Sequence, residues 1–316
     1  EEPAEKKPVD FVGLRKRFLT ISACLMAAIL LCAVVFGVRL DTEFTGGAMI
    51  TLSYEGEFTT ADVQKTASAA LGSKDLTLQT GENVATGEQT LKISMPGNET
   101  VTTDQVENLL DSLNETYPDN GFVQLSLSNV SAAMGTKFLQ KSLVAVLFAL
   151  VLILLYIGFR FQKIGGLTGG MMAVLALLND LMVVFGTFVL LRTPLDGNFI
   201  AAVLTILGYS INDTVVIYDR IRENSALYSK KQMGLAELVN LSVNQSFSRS
   251  LMTSITTCLA LGVVCVVSVI YRLDSIYTFA FPLLFGMVSG VYSTICIATP
   301  LWVDWKSKKK AAKKEA

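Results

Sequence analysis

Six stretches of this chain are apolar for about the length a helix needs to cross a bilayer, and that removes most soluble architectures. Roughly 20 mostly apolar residues span the hydrocarbon core as a helix. The runs fall at 18–38, 139–159, 166–191, 199–218, 251–270 and 276–303. Hydrocarbon offers no partner for a backbone N–H or C=O, so each run is expected to satisfy itself as a helix. Composition agrees: 51% of the residues are apolar and 17% charged, against about 25% charged in an ordinary soluble domain. The first run is too long for the core of a signal peptide and no convincing small-residue cleavage site follows it. It is expected to stay in the membrane.

Lysine and arginine near the run ends set the orientation. Arg15, Lys16 and Arg17 precede the first run, Arg160 and Lys163 separate the second from the third, and Arg220, Arg222, Lys230, Lys231 and Arg249 lie between the fourth and fifth. A lysine-rich segment from Lys306 follows the sixth, whereas the opposite side has little beyond Lys137, Lys141, Arg192 and Arg272. The bias predicts a multi-pass plasma-membrane protein with both termini cytoplasmic. The expected units are a tail at 1–17, a helix at 18–38, an extracytoplasmic domain at 39–138, five helices within 139–303, and a basic tail at 304–316. A polar loop at 219–248, carrying a short amphipathic surface helix, is expected between the fourth and fifth helices.

The inserted region has a legible pattern. Residues 48–54 alternate as a strand, and Thr59-Thr60-Ala61-Asp62 offers a capping box ahead of a helix ending near Gly72. Strands are predicted at 75–78 and 88–95 with a glycine-containing connection at 81–87, then a helix capped by Thr102-Thr103-Asp104-Gln105. Its apolar positions Val106, Leu109, Leu110 and Leu113 form one stripe, and 122–127 reads as a last strand. The order β-α-β-β-α-β is that of an α+β ferredoxin-like domain.

Several chemistries find no support. Histidine is absent and all five cysteines lie inside apolar runs, so neither a metal site nor a disulfide framework is expected. No phosphate-cradling loop or nucleophile–base arrangement is present, and a net charge of −1 gives no reason to expect nucleic acid. No cofactor is expected. The informative residues are charges inside the apolar runs, which are costly there. Asp180 lies in the third, Asp213 in the fourth beside Asn212, and Arg249 opens the fifth, followed at helical spacing by Thr253. Asp213 and Arg249 are at depths that let them meet. Such a pair is either a static tie or a unit that couples protonation to movement. Asp180 has no evident partner in the chain. Gly286 and Gly290, with Ser289 and Ser293 nearby, read as close helix packing.

Three motifs resemble a known family. Phe44-Thr45-Gly46-Gly47 resembles a signature loop of SecF-type subunits of the SecD/SecF family, which serve bacterial protein export. The stretch from Gly208 to Val216, continued by Asp219-Arg220-Ile221-Arg222-Glu223-Asn224, is similar to the family's most diagnostic segment. Residues 244–254 resemble the next one. This likeness implies half of a pump of the RND superfamily, with SecD as the other half, drawing on the proton-motive force to move preproteins that cross the SecYEG channel. It implies that Asp213, Arg249 and Thr253 lie on the proton pathway, with Asn212 and Asp180 beside them. Two positions depart from the pattern: Glu43 stands for the usual Asp before Phe-Thr-Gly-Gly, and Asn179 stands where many relatives carry His. A half-size RND exporter of small molecules or lipids is the alternative, disfavoured because the outer domain is too small to enclose a channel.

Overall fold

In the computed structural model, residues 9–73, 76–82, 87–97, 100–228 and 232–315 are described, with side chains up to 309. Among the described residues, six helical rods are long and apolar enough to cross a membrane. They are α1 (Arg15–Phe36), α5 (Ala132–Arg160), α6 (Gly166–Leu191), α7 (Gly197–Leu227), α8 (Leu235–Ile270) and a last rod. The last begins as α9 (Asp274–Ser293), passes through a π-turn at Thr294–Ala298 and continues as α10 (Thr299–Glu315). The inserted domain supplies the remaining elements: the short α2 (Thr42–Thr45), β1 (Gly47–Tyr54), α3 (Thr60–Leu71), β2 (Thr77–Glu82), β3 (Gln89–Pro96), α4 (Thr103–Thr116) and β4 (Val123–Val130).

The four strands form one antiparallel sheet in the order β2-β3-β1-β4, the arrangement expected of a ferredoxin-like domain. Ile50 and Leu52 of β1 and Leu91 and Ile93 of β3 are buried with Val63 of α3 and the α4 stripe Val106, Leu109 and Leu113. Leu110 is only partly buried. The expected reciprocal cap forms at α4, where Gln105 Oε1 accepts the Thr102 N–H at 3.0 Å. At α3 it does not form: no side chain caps Thr59, and Asp62 pairs with Lys65 at 3.1 Å instead. The second strand is longer than predicted and shifted, and predicted residue Asp75 lies outside the described residues.

The polar stretch between the fourth and fifth spans departs from expectation. It carries no separate surface helix among its described residues; α7 and α8 run on past their apolar runs and pair with each other. Gln245 Oε1 accepts both Arg220 Nε at 2.7 Å and Asn224 Nδ2 at 2.8 Å, while Asn224 also donates to Ser242 Oγ at 2.8 Å. Asp219 takes Arg160 at 3.1 Å and Arg222 at 2.6 Å. These shared bonds satisfy polar groups on both helices, so the helices continue where hydropathy alone suggests a loop.

Two joints seat the domain on the bundle. On one side, Thr80 Oγ1 lies 2.7 Å from both Asp274 Oδ2 and the Arg272 carbonyl at the start of α9, and its single proton is donated to one of them. On the other, Phe44-Thr45-Gly46-Gly47 crosses the start of α5. A Cβ on Gly135 would lie 2.6 Å from the Gly46 nitrogen, and one on Gly46 would lie 2.6 Å from the Ala132 Cα. Gly46 and Gly47 have φ of +81° and +131°, which L side chains rarely adopt. A Cβ on Gly47 would also collide with the Met95 carbonyl. The two glycines thus let the first strand leave the membrane surface in contact with α5.

Candidate functional site

The middle of the bundle is built by α6, α7 and α9, whose apolar faces bury Leu177, Val184, Ile206, Leu207 and Met287. Gly286 permits the close approach: a Cβ there would be 2.7 Å from both Ile206 and Val184 side chains. At Gly290 the neighbour would be Ser210, at 3.2 Å. Drawing α9 this close brings its hydroxyls onto α6.

Asp180, fully buried, is the centre of what results. Ser289 Oγ donates to its Oδ1 at 2.6 Å, and Ser210 and Ser293 both donate to its Oδ2 at 2.7 Å. Asn179 extends the network, donating to Ser289 Oγ at 3.2 Å and accepting from Ser22 Oγ of α1 at 3.0 Å. Four helices therefore meet through one carboxylate and one amide. From the sequence alone Asp180 has no evident partner in the chain. The structure corrects this, because three serines from two other helices converge on it. Ser289 and Ser293, one helical turn apart, were the available signal.

Asp213 stands one turn beyond Ser210 on α7 and is 4% exposed. Ser250 of α8 is turned toward it. Yet neither Asp213 Oδ2 nor Ser250 Oγ, both buried, completes a hydrogen bond among the described residues. A buried oxygen left so is costly. The expected partner is elsewhere: Arg249 is exposed on the outer side of α8, and no ion pair joins it to Asp213 among the described residues. Adjacent helical residues point about 100° apart, so burying Ser250 turns Arg249 outward. Asn212 and Thr253 are exposed as well, and Thr253 Oγ1 returns its proton to the Arg249 carbonyl at 3.0 Å. The predicted residues thus divide. Asp180 and Asp213 lie inside this chain, separated by Ser210, whereas Asn212 of α7 and Arg249 and Thr253 of α8 are exposed on the outside of their helices.

A second acidic group lies where the inserted domain meets the bundle. Lys92 Nζ of β3 stands 3.8 Å from both Asp41 Oδ2 and Glu43 Oε1. Glu43 Oε2 accepts the Gly197 N–H at 2.8 Å, at the first residue of α7. The longer Glu at this position is what reaches α7. Asp196 caps the same helix by accepting the Phe199 N–H at 3.2 Å. Burial, reinforced by the neighbouring Asp41 and Glu43, pushes its carboxyl from an ordinary 3.8 up to about 6. Among the described residues no group of three or more His, Cys, Asp or Glu side chains is placed to hold a metal ion.

Residues 109–308 match the family described as protein export membrane protein SecD/SecF, C-terminal. The protein translocase subunit SecF of Alicyclobacillus acidocaldarius is 33% identical over 305 residues, covering 96% of this chain and 94% of that one. The SecDF subunit of Bacillus subtilis is 32% identical over 95% of this chain but only 38% of its own length. The crystal structure of SecDF, a translocon-associated membrane protein from Thermus thermophilus, superimposes with a TM-score of 0.78 at 29% identity, over 97% of this chain and 40% of that one. This chain therefore spans about two fifths of each SecDF chain. It belongs to the SecD/SecF family of protein-export membrane proteins.

Proposed function

We propose that this chain is the SecF-type half of an ion-driven accessory pump for protein export, completed by a SecD half. The observation that carries the reading is the outer face of α7 and α8. Asn212, Arg249, Thr253 and Thr256 are exposed there, on helices that cross the membrane. Polar side chains at membrane depth are costly in lipid and normally face protein or a water path. A second six-helix half set against this face would cover them. The fused SecDF relatives, of which this chain matches about two fifths, supply a partner of that kind.

In this reading Asp213 is the moving part. Its Oδ2 completes no hydrogen bond among the described residues, so a proton, a water or the Arg249 guanidinium can reach it when the halves shift. Protonation changes its partners, and the helix pair repacks. Asp180 is tied by three hydroxyls and serves as the fixed point beside it. With both termini in the cytoplasm, the ferredoxin-like domain stands outside, where it meets preprotein leaving SecYEG. Its two joints, at Thr80–Asp274 and at Glu43–Gly197, link it to α9 and α7.

The test is translocation of a preprotein into vesicles holding SecYEG, SecD and this chain, with and without an imposed proton-motive force. Wild type is expected to show a force-dependent gain that Asp213→Asn abolishes while force-independent translocation stays. An Asp213→Asn chain with the full gain would refute the proposal.

A further inference from the structure

At the end of the bundle that carries the basic loops, α5, α6 and α10 border an open groove of about 510 Å³. Leu155, Gly158, Phe159 and Leu167 supply its apolar lining, with Gln162 and Lys309 among the polar groups. The apolar walls are open: Leu155, Phe159 and Leu167 are 46%, 72% and 60% exposed. Gly158 keeps the slot clear, since a Cβ there would touch only Leu167, at 3.8 Å. The groove lies where the α5 span ends and the α6 span begins, so its depth is that of the membrane boundary.

The cations around it divide into two groups. Arg160 is held by Asp219 at 3.1 Å, Lys308 by Asp304 at 3.0 Å, and Lys306 donates to the Ile164 carbonyl at 2.7 Å while lying over the Trp302 ring. Lys309, in the groove lining, and Lys163, next to Gln162, are exposed and make no ion pair among the described residues. No carboxylate is among the lining residues. The site therefore combines an apolar slot with one uncommitted ammonium group and an amide in its lining, and a second exposed ammonium, Lys163, on the residue next to that amide, at headgroup level. We propose that it binds an anionic phospholipid, one acyl chain lying along Leu155, Phe159 and Leu167 and the headgroup phosphate meeting Lys309, Lys163 and Gln162. A zwitterionic lipid would fill the slot equally but offers no net charge to the lysines. This site is independent of the ion-coupling proposal.

Native mass spectrometry of the purified full chain tests it, with phosphatidylglycerol or phosphatidylcholine of matched acyl chains added to the detergent. Wild type is expected to retain phosphatidylglycerol preferentially. Lys163→Gln with Lys309→Gln should weaken retention roughly fivefold per lysine. Gly158→Leu, which fills the slot and leaves both lysines, should also lose it; Leu167→Phe serves the same purpose if Gly158→Leu fails to fold. Equal retention of the two lipids by wild type would overturn the proposal. So would a filled-slot variant that binds phosphatidylglycerol as well as wild type, because diffuse surface charge would then suffice.

Discussion

At the scale of single residues, the bundle shows how hydroxyls substitute for a counter-ion. Asp180 accepts three serine hydroxyls at 2.6–2.7 Å, and the two on Oδ2 back each other up. Ser289 has no such reserve, since among the described residues it is the one hydroxyl on Oδ1 and it also accepts from Asn179. Ser289→Ala should therefore lower the thermal unfolding midpoint in detergent more than Ser293→Ala, by an amount corresponding to about 1–3 kcal/mol for each buried group orphaned. Equal losses would mean that the network is not organised this way. Gly135 gives a second prediction. A methyl there meets backbone at 2.6 Å, with no flexible side chain to yield, so Gly135→Ala should destabilise by roughly 1–3 kcal/mol in denaturant unfolding. Hydropathy exposed the carboxylates but not their partners. Serine is ordinary in a membrane helix, and three helices must be assembled before its direction has meaning. That Arg249 makes no ion pair with Asp213 among the described residues has a related reason, because a one-residue change in which side chain faces inward is invisible to depth.

At the scale of elements, two joints make different predictions. The α7–α8 extension hangs on Gln245, whose single oxygen serves Arg220 and Asn224. Gln245→Ala should speed amide hydrogen exchange through residues 219–227, with a stability loss of about 1 kcal/mol; unchanged exchange would show that apolar packing alone holds the extension. The Asp196 cap is a pH-dependent element. Its folded carboxyl titrates near 6 against an ordinary 3.8, so the folded state binds more protons between those values. Stability then falls as pH rises through that window, with Asp41, Glu43 and Lys92 as the charged neighbours. Asp196→Asn should flatten the slope of the unfolding midpoint between pH 4 and 6, and an unaltered slope would assign it to other groups. Element types in the inserted domain could be read from period and caps. The α7–α8 extensions could not, because charged and amide side chains there are satisfied across helices rather than along one.

At the scale of the whole molecule, six apolar runs dictated six spanning helices, and the β-α-β-β-α-β order of the insertion dictated its sheet. What the chain cannot supply by itself is cover for the outer face of α7 and α8, where Asn212, Arg249 and Thr253 are exposed. Incompleteness of this kind is legible only in three dimensions, since it depends on which residues are left outside once the helices have packed. In the proposed reading this face is where a SecD half would sit; the fused SecDF relatives are more than twice this chain's length by the coverage they show. In the proposed mechanism Asp213 couples ion movement to that assembled pair. The most direct measurement is ion flux in sealed vesicles containing this chain with SecD, under separate proton and sodium gradients, for wild type and Asp213→Asn. The account predicts flux driven by one of the two gradients in wild type and none in Asp213→Asn; equal flux in both chains would contradict it.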